Sequence, residues 1–272
     1  RVLRYMAAHG IAAASTAMAV LLQPVIPAQA SGGGLSQTAG GGMRLTATWG
    51  LGETIAQGEI TPDRYELDAS DRLIEVVAGH KDHSVSCEAH GLPIARAVPR
   101  SHASMRCLSN SQVAELAQLL RRAADLMQGP VEIEWALDFR GITLLQARPL
   151  HLAAASEPPR VWLHHPRLTG HPAGVGWGVG RACVINCECE IGRVAPGDVV
   201  VTRAASPALV HFLPAVSGIV AERGGSTSHL ASLARERGIP MVLGVADATL
   251  RIPDGARMSV DGVAGVVRWM PS

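Results

Sequence analysis

The sequence has few aromatic side chains and no excess of charge of either sign. Phe, Trp and Tyr make up 3% of the 272 residues, so the core must be built from small aliphatic side chains. Such a composition suits layered α/β packing. There are 24 basic and 23 acidic residues, which gives a formal net charge of +1. Because nothing draws the chain toward nucleic acid or an anionic membrane, we expect small molecules or protein surfaces as its partners.

Long apolar runs are missing as well. No stretch approaches the roughly 20 apolar residues that span a bilayer, so we expect no membrane span. An N-terminal apolar stretch does end in the AQA of residues 28–30, like a secretory signal and its cleavage site, but Gln23 and two prolines interrupt it. The chain also opens with Arg rather than Met, as a fragment would. We therefore expect a cytoplasmic protein, with a secreted binding protein cleaved after Ala30 as an alternative.

Cysteine is too scarce to suggest a disulfide framework. Five cysteines are an odd number in a chain of this size, and reduced thiols are the expected state. Cys183, Cys187 and Cys189 form a cluster of soft metal ligands, yet their spacing is not CxxC and no matching second pair follows. The pattern thus gives little support to a metal centre.

The N-terminal part of the chain reads as strands with one clear helix. Residues 15–26 form a contiguous apolar run that predicts a buried strand, and a Gly-rich loop follows it. Ser109 and Gln112 have capping-box spacing ahead of a helical apolar repeat, which Gly129 and Pro130 stop. The segments VEIEWALDF and GITLLQARPL then predict two strands of a hairpin.

A change of composition marks a domain boundary. The segment AAASEPPR, residues 153–160, is small, polar and Pro-bearing, as linkers are. We therefore expect domains at 1–152 and 166–272, with a linker at 153–165. The second domain reads as β-rich, with one central helix from His229 to Arg237.

The run GGSTSH, which leads into that helix, suits a histidine that carries phosphate. Gly224 and Gly225 allow a tight turn, and Thr227 and Ser228 stand where an N-cap hydroxyl would be. His229 then falls at the positive end of the helix, where free amides would meet a phosphate. A lone histidine at a helix start could equally serve only to pack or to cap. The longer sequence pattern around His229 therefore decides between such a role and a phosphate-carrying one.

That longer pattern, from Glu222 to Gly244, resembles the signature of the phosphohistidine, or swivelling, domain of phosphoenolpyruvate-utilising enzymes. In that family a GGxTSH run is followed by ARExGIPxVVG. The resemblance implies a β/β/α domain in which a phosphorylated His229 shuttles between two active sites. Thr227 matches a position that is a regulatory phosphorylation site in some dikinases of the family.

A second resemblance lies in the predicted hairpin. The segment VEIEWALD, followed by the QARP run, resembles the end of the family's ATP-grasp domain. There the matching glutamate and glutamine bind Mg²⁺ and the arginine contacts phosphate, which implies those roles for Glu134, Gln146 and Arg148. If the two strands alternate in phase, Glu134 and Gln146 lie side by side and Arg148 shares their face. Glu132 stands where the family more often has aspartate.

Upstream segments extend the resemblance. Residues 18–32 resemble the strand and hinge that hold adenine, with Gln23 and the backbone near Val25 as ATP contacts. The segment WGLGETIAQGEITPDRY resembles the family's WGLGExVVSGxVTPDRY. The Gly-rich segment 31–42 departs from the family's SGVxFTxDPxTG, because it lacks the acidic residue and strand character.

The resemblance implies a partial ATP-grasp lobe followed by a β/β/α swivelling phosphohistidine domain, in an α/β or α+β protein. The expected function is an ATP-dependent phosphotransferase of the dikinase type, with ATP and Mg²⁺ as cofactors and pyruvate or another small molecule as the acceptor. The N-terminal lobe of the ATP-grasp domain and any acceptor domain are absent, so a second chain could supply them. The alternatives are a non-catalytic phosphocarrier or truncated remnant, and a relative of rifampin-type antibiotic phosphotransferases.

Overall fold

The computed structural model of the protein describes residues 22–87, 92–152 and 160–271, together with Met6, Gly10 and Val20. Residues 22–152, here called the first unit, contain a six-stranded antiparallel sheet of order β4-β3-β2-β1-β7-β8. Its strands are β1 Ala30–Leu35, β2 Met43–Trp49, β3 Asp63–Leu67, β4 Leu73–Val77, β7 Val131–Asp138 and β8 Gly141–Pro149. A separate hairpin pairs β5 His83–Cys87 with β6 Pro93–Ala97. The helices are α1 Glu53–Ala56, α2 Arg100–Ala103 and α3 Asn110–Met127.

Helix α3 covers one face of this sheet. The predicted capping box is present, since the Ser109 side chain accepts from the Gln112 amide and the Gln112 side chain accepts from the Ser109 amide. The helix turns Leu116 and Leu120 onto a core that includes the fully buried Trp135. The helix and the β7–β8 hairpin are therefore where the sequence pattern predicts them.

The glycine-rich segment is the main correction to the sequence-based interpretation. Its first half was expected to be a loop without strand character, but it forms β1, between β2 and β7 in the sheet. A Cβ on Gly32 would lie 1.9 Å from the Thr46 carbonyl oxygen, so only glycine fits beside β2 there. The predicted strand at 15–26 is wrong where it can be checked: Val20 and residues 22–26 have no regular structure, and its other residues lie outside the described ranges.

Residues 160–271, here called the second unit, contain an eight-stranded sheet of order β10-β14-β13-β12-β11-β15-β16-β9. Strands β11 to β14 are parallel and the outer strands pair antiparallel. The strands are β9 Arg167–Thr169, β10 His171–Pro172, β11 Trp177–Ile185, β12 Val199–Ala204, β13 Gly218–Arg223, β14 Met241–Leu243, β15 Arg257–Asp261 and β16 Val266–Trp269. The helices are α4 His229–Glu236 and α5 Ala248–Arg251, and 3-10 turns lie at Arg160–Trp162, Glu188–Arg193 and Pro207–His211.

The second unit buries apolar side chains on both faces of its parallel strands. One core joins Val199, Val201 and Val220 to Met258, while the other packs Val200 and neighbouring residues beneath α4. Strands buried on both faces read as continuous apolar runs, as GDVVV does. The expected mixed α/β architecture is confirmed.

Three further expectations concern the predicted linker, the cysteines and a membrane span. Residues 153–159 of the predicted linker lie outside the described ranges, and Trp162, just beyond them, is buried and packs edge-on against Trp177. The expected reduced state of the cysteines is wrong for one pair, because Cys187 and Cys189 form a disulfide with their Cα atoms 5.3 Å apart. Among the helices that the structure describes, none is long and apolar enough to cross a bilayer.

Candidate active site

His229 is the first residue of α4 and its side chain is exposed. The helix follows β13 through a short turn in which Gly224 has φ +125°, a conformation that favours glycine. Ser228 is the N-cap, and its hydroxyl accepts from the Ala231 amide at 3.3 Å. Amides of a first helical turn have no intrahelical acceptor, so His229 lies at the positive end of the helix. This end can stabilise an anion attached to the imidazole.

Thr227 and Gly225 contact the first unit rather than cap the helix. The Thr227 hydroxyl lies 2.6 Å from the Thr46 hydroxyl of β2. A Cβ on Gly225 would lie 2.8 Å from Cγ of Pro62. The glycines and hydroxyls that the sequence analysis singled out therefore divide into two groups: Gly224 and Ser228 shape the turn and helix, while Gly225 and Thr227 allow the two units to meet.

The β7–β8 hairpin brings together the acidic, amide and basic groups predicted there. Glu134 pairs with Gln146 and Glu132 pairs with Arg148 in the strand register. The Arg148 guanidinium donates to Oε1 of Gln146 at 2.8 Å. Glu134 is exposed on the sheet, with a β-bulge directly after it. The predicted side-by-side placement of Glu134 and Gln146 is confirmed.

The structure places His229 against this hairpin. Side chains from both units line a small, open space of about 20 Å³. It is lined by Glu132, Ile133, Glu134, Gln146, Arg148, Thr227, His229 and Ser232. A space of this size holds about one water molecule. The four residues with predicted roles in catalysis, metal binding and phosphate contact therefore meet at one point, although they come from different units.

The predicted adenine contacts lie apart from this point. Gln23 and Val25 belong to an irregular segment, both are exposed, and Val25 has 62% of its surface accessible. Neither lines the space around His229. The structure thus does not bring Gln23 and Val25 together with the remaining predicted site residues.

The structure also reveals contacts between the units that the sequence analysis missed. Glu132 accepts from Arg235 at 2.7 Å and from the Ser232 hydroxyl at 3.1 Å. Arg44 donates to the carbonyl oxygen of Pro172 at 2.8 Å. Ser232 and Arg235 lie within the same motif as His229, so the motif was visible but its partners in the first unit were not. We call the contacts Thr46–Thr227, Arg44–Pro172 and Glu132–Ser232/Arg235 the docking seam.

His171, next to the docking seam, is held neutral by its surroundings. Burial, together with the nearby Arg64 and Arg44 guanidinium groups, lowers the pKa of His171 from 6.5 to about 4. Both arginines belong to the first unit. The seam therefore brings positive charge close to a histidine of the second unit.

The second unit presents a histidine at a helix N-terminus to a carboxylate, an amide and a guanidinium of the first unit, an arrangement suited to phosphate groups. Comparison with known families gives two matches: the AMP/ATP-binding domain of pyruvate phosphate dikinase over residues 1–162, and the mobile domain of phosphoenolpyruvate-utilising enzymes over residues 194–265. The chain belongs to the family of the pyruvate phosphate dikinase AMP/ATP-binding domain, and it also carries the mobile domain.

Three relatives that match most of the chain are named phosphoenolpyruvate synthase or probable phosphoenolpyruvate synthase. A probable phosphoenolpyruvate synthase of Methanothermobacter thermautotrophicus is 32% identical over 255 residues, which is 92% of this chain and 37% of that protein. One from Archaeoglobus fulgidus is 30% identical over 98% of this chain and 37% of its own length. The phosphoenolpyruvate synthase of Escherichia coli is 32% identical over 80% of this chain and 29% of its own length. The chain thus spans about a third of the length of these relatives.

Proposed function

We propose that the protein is part of an ATP-dependent phosphotransferase of the dikinase type, in which His229 accepts a phosphoryl group from ATP and passes it to a small acceptor such as pyruvate. One observation carries this proposal: His229 of the second unit and the Glu134, Gln146 and Arg148 cluster of the first unit line the same small space. A capping or packing role for His229 would not require that meeting.

The proposed chemistry is a substitution at phosphorus. A neutral ring nitrogen of His229 forms a bond to a phosphorus atom of ATP, and the phosphoanhydride P–O bond on the opposite side breaks with its electron pair going to the leaving group. Arg148 stabilises the negative charge on the transferring oxygens, and the N-terminus of α4 stabilises the phosphate once it is attached. When the attack is at the β-phosphorus, AMP leaves and the outer phosphoryl group passes to water or phosphate. An oxygen of the acceptor then attacks the remaining phosphorus, and the N–P bond breaks with its electron pair returning to His229.

Magnesium fits the residues of this site. Glu134 provides a carboxylate and Gln146 an amide oxygen on adjacent strands, and Mg²⁺ prefers such oxygen ligands, one or two from protein with the rest from phosphates and water. Within the described ranges, no group of three or more His, Cys, Asp or Glu side chains could hold a metal by itself. Glu134 and Gln146 would therefore hold the ion together with the phosphates, where it neutralises phosphate charge.

The docked arrangement supports a movement of the second unit. The space between His229 and the hairpin is about 20 Å³, much smaller than a triphosphate. We propose that the second unit withdraws to admit ATP, returns for the transfer, and then carries the phosphate to an acceptor site. We propose in addition a cytoplasmic location, and that the acceptor site and the remaining ATP contacts lie elsewhere in the polypeptide or on a second chain.

The test uses the complete gene product that contains this chain, incubated with Mg²⁺ and ATP labelled at the β or γ position. We expect acid-labile, alkali-stable label on the protein, lost in His229→Asn and retained in His164→Asn, which removes another exposed histidine. Arg148→Ala should slow labelling about 100-fold, as loss of one transition-state contact does, whereas Arg140→Ala in the hairpin turn should not. Label that persists in His229→Asn, or no label in the unaltered protein, would overturn the proposal.

A further inference from the structure

Helix α4 meets β7 at Glu132, and the first residue of the helix lines the same small space as Glu134. His229, Ser232 and Arg235 follow one another at three-residue spacing, so each lies next to the following one on the helix surface, along an arc of about 120°. Glu134 and Glu132, two residues apart, lie on one face of β7. His229, at the start of α4, and Glu134 of β7 both line the small space. Arg235, near the end of α4, forms an ion pair with Glu132 of β7.

The distance between His229 and Arg235 along α4 is similar to the distance between Glu134 and Glu132 along β7. Six residues of helix separate His229 from Arg235 by about 9 Å, and two residues of strand separate Glu134 from Glu132 by about 7 Å. When Arg235 binds Glu132, the start of α4 is therefore brought opposite Glu134. A displacement of α4 along the strand by one pair of residues would break the Arg235–Glu132 ion pair and move His229 away from Glu134.

Arg235 is held ready for this contact by the second unit alone. Its Nη1 donates to the carbonyl oxygens of Ala173 at 2.9 Å and Ser226 at 2.6 Å. Its Nη2 remains to bind Glu132. Because the guanidinium is already fixed, the pair forms without ordering a flexible side chain.

Burial makes this contact selective. The side chains of Arg235 and Glu132 are 5% and 11% exposed. A buried carboxylate that loses its partner is strongly unfavourable, so the docked state tolerates only the arrangement in which the pair is formed. The Ser232 hydroxyl donates to the same oxygen of Glu132, which gives that oxygen a second donor.

We propose that Glu132 is a positioning residue that sets the register in which the second unit docks, by binding the preformed Arg235 and Ser232 donors so that His229 faces Glu134. This inference rests on the proposed function for its catalytic consequence, but the docking itself can be measured without it. Glu132 thus has a different task from Glu134, although the two carboxylates share a strand face.

Docking can be followed by a cross-link across the docking seam. The Thr46 and Thr227 hydroxyls lie 2.6 Å apart, so cysteines at both positions can form a disulfide when the units are docked. A Cys87→Ser background removes the free cysteine that is partly exposed in the described part of the chain. The rate of disulfide formation under a fixed oxidant then reports the docked population.

In this background we expect Glu132→Gln to slow cross-linking at least about tenfold, because the guanidinium then lacks its buried counter-charge. Glu132→Asp keeps the charge and should restore most of the rate. Glu115→Gln removes an equivalent charge from the exposed side of α3 and should leave the rate unchanged. Thermal unfolding of each variant shows that slow cross-linking does not reflect loss of the fold.

The same variants, with Thr46 and Thr227 restored, separate this inference from the proposed function. Glu132→Gln should slow ATP-dependent labelling of His229 by a factor similar to that seen in cross-linking. An unchanged cross-linking rate in Glu132→Gln would overturn the positioning role even if His229 is labelled normally. A protein that is never labelled, but whose cross-linking depends on Glu132, would overturn the proposed function and leave the docking role standing.

Discussion

At the scale of single residues, glycine is used where the two units touch. Gly33 lies in the middle of β1, and a Cβ there would be 2.5 Å from Cβ of Thr227, far inside van der Waals contact. A glycine in a strand interior weakens the strand, so its presence marks a close approach by another part of the chain. The glycines of β1 therefore form a strand surface against which the second unit packs, and not a flexible loop.

Gly33→Ala should weaken docking while leaving the first unit folded, because the three atoms nearest to the added methyl group all belong to Thr227. We expect slower ATP-dependent labelling of His229, and recovery of much of the rate when Thr227→Gly removes the opposing side chain. Gly40→Ala, in the following loop where the nearest atom to a Cβ is 3.9 Å away, is the matched control. Labelling at the unaltered rate in Gly33→Ala would show that the units do not meet there.

At the scale of secondary-structure elements, α4 depends on its N-cap to present His229. The helix has only eight residues, so it is too short to be stable on its own and relies on capping and packing. Ser228 is fully buried and caps the Ala231 amide. Loss of this cap would loosen the first turn of α4, where His229 lies.

Ser228→Ala should lower the free energy of unfolding by about 1 kcal/mol, whereas Ser228→Gly should cost only a few tenths, since glycine is a tolerated N-cap and alanine is not. Denaturant unfolding of the two variants measures the difference. A side chain that served only to fill space would give the reverse order, with glycine the more damaging replacement.

His171 of strand β10 makes the stability of the fold depend on pH. The pKa of His171 is lowered by burial and by Arg64 and Arg44, so the folded protein binds a proton there less readily than the unfolded chain does. Stability from this residue is therefore complete above pH 6.5 and is lost as the pH falls toward about 4. The full loss corresponds to about 3 kcal/mol.

Chemical unfolding of the protein and of His171→Gln at pH 7 and pH 4.5 checks this expectation. The unaltered protein should lose more stability between the two values than the variant, because glutamine does not titrate. Equal losses in both would show that His171 is not the group responsible.

The elements also show how far a sequence can predict this structure. Helix α3 and the β7–β8 hairpin carry local signals, a capping box and alternating side chains, and both were located from sequence. The sequence does not predict strand β1, because consecutive glycines provide no apolar alternation. This strand is determined by its neighbours in the sheet, which the local pattern does not show.

At the scale of the whole molecule, polar groups form several of the contacts between the units. The docking seam contains a pair of threonine hydroxyls, an arginine on a carbonyl oxygen and a carboxylate with two donors. Polar interfaces within a chain are typical of parts that separate and reassociate. This character agrees with a second unit that moves between positions.

The candidate site divides in the same way between what sequence can and cannot predict. Glu134, Gln146, Arg148 and His229 were each identified within a local motif. Their meeting could not be derived from either motif, because His229 lies 95 positions after Glu134 in the printed numbering. The partnership of Glu132 with Arg235 is likewise a property of the docked units, because neither motif shows which residue of the other unit it contacts.

Mapping the phosphoryl group on the protein tests the central claim most directly. After brief incubation of the complete gene product with Mg²⁺ and ATP, the protein would be digested at alkaline pH, where phosphohistidine survives, and its peptides sequenced by tandem mass spectrometry. The account predicts a phosphoryl group on His229, in the peptide that continues into α4. Phosphate on a different residue, with His229 unmodified, would contradict it.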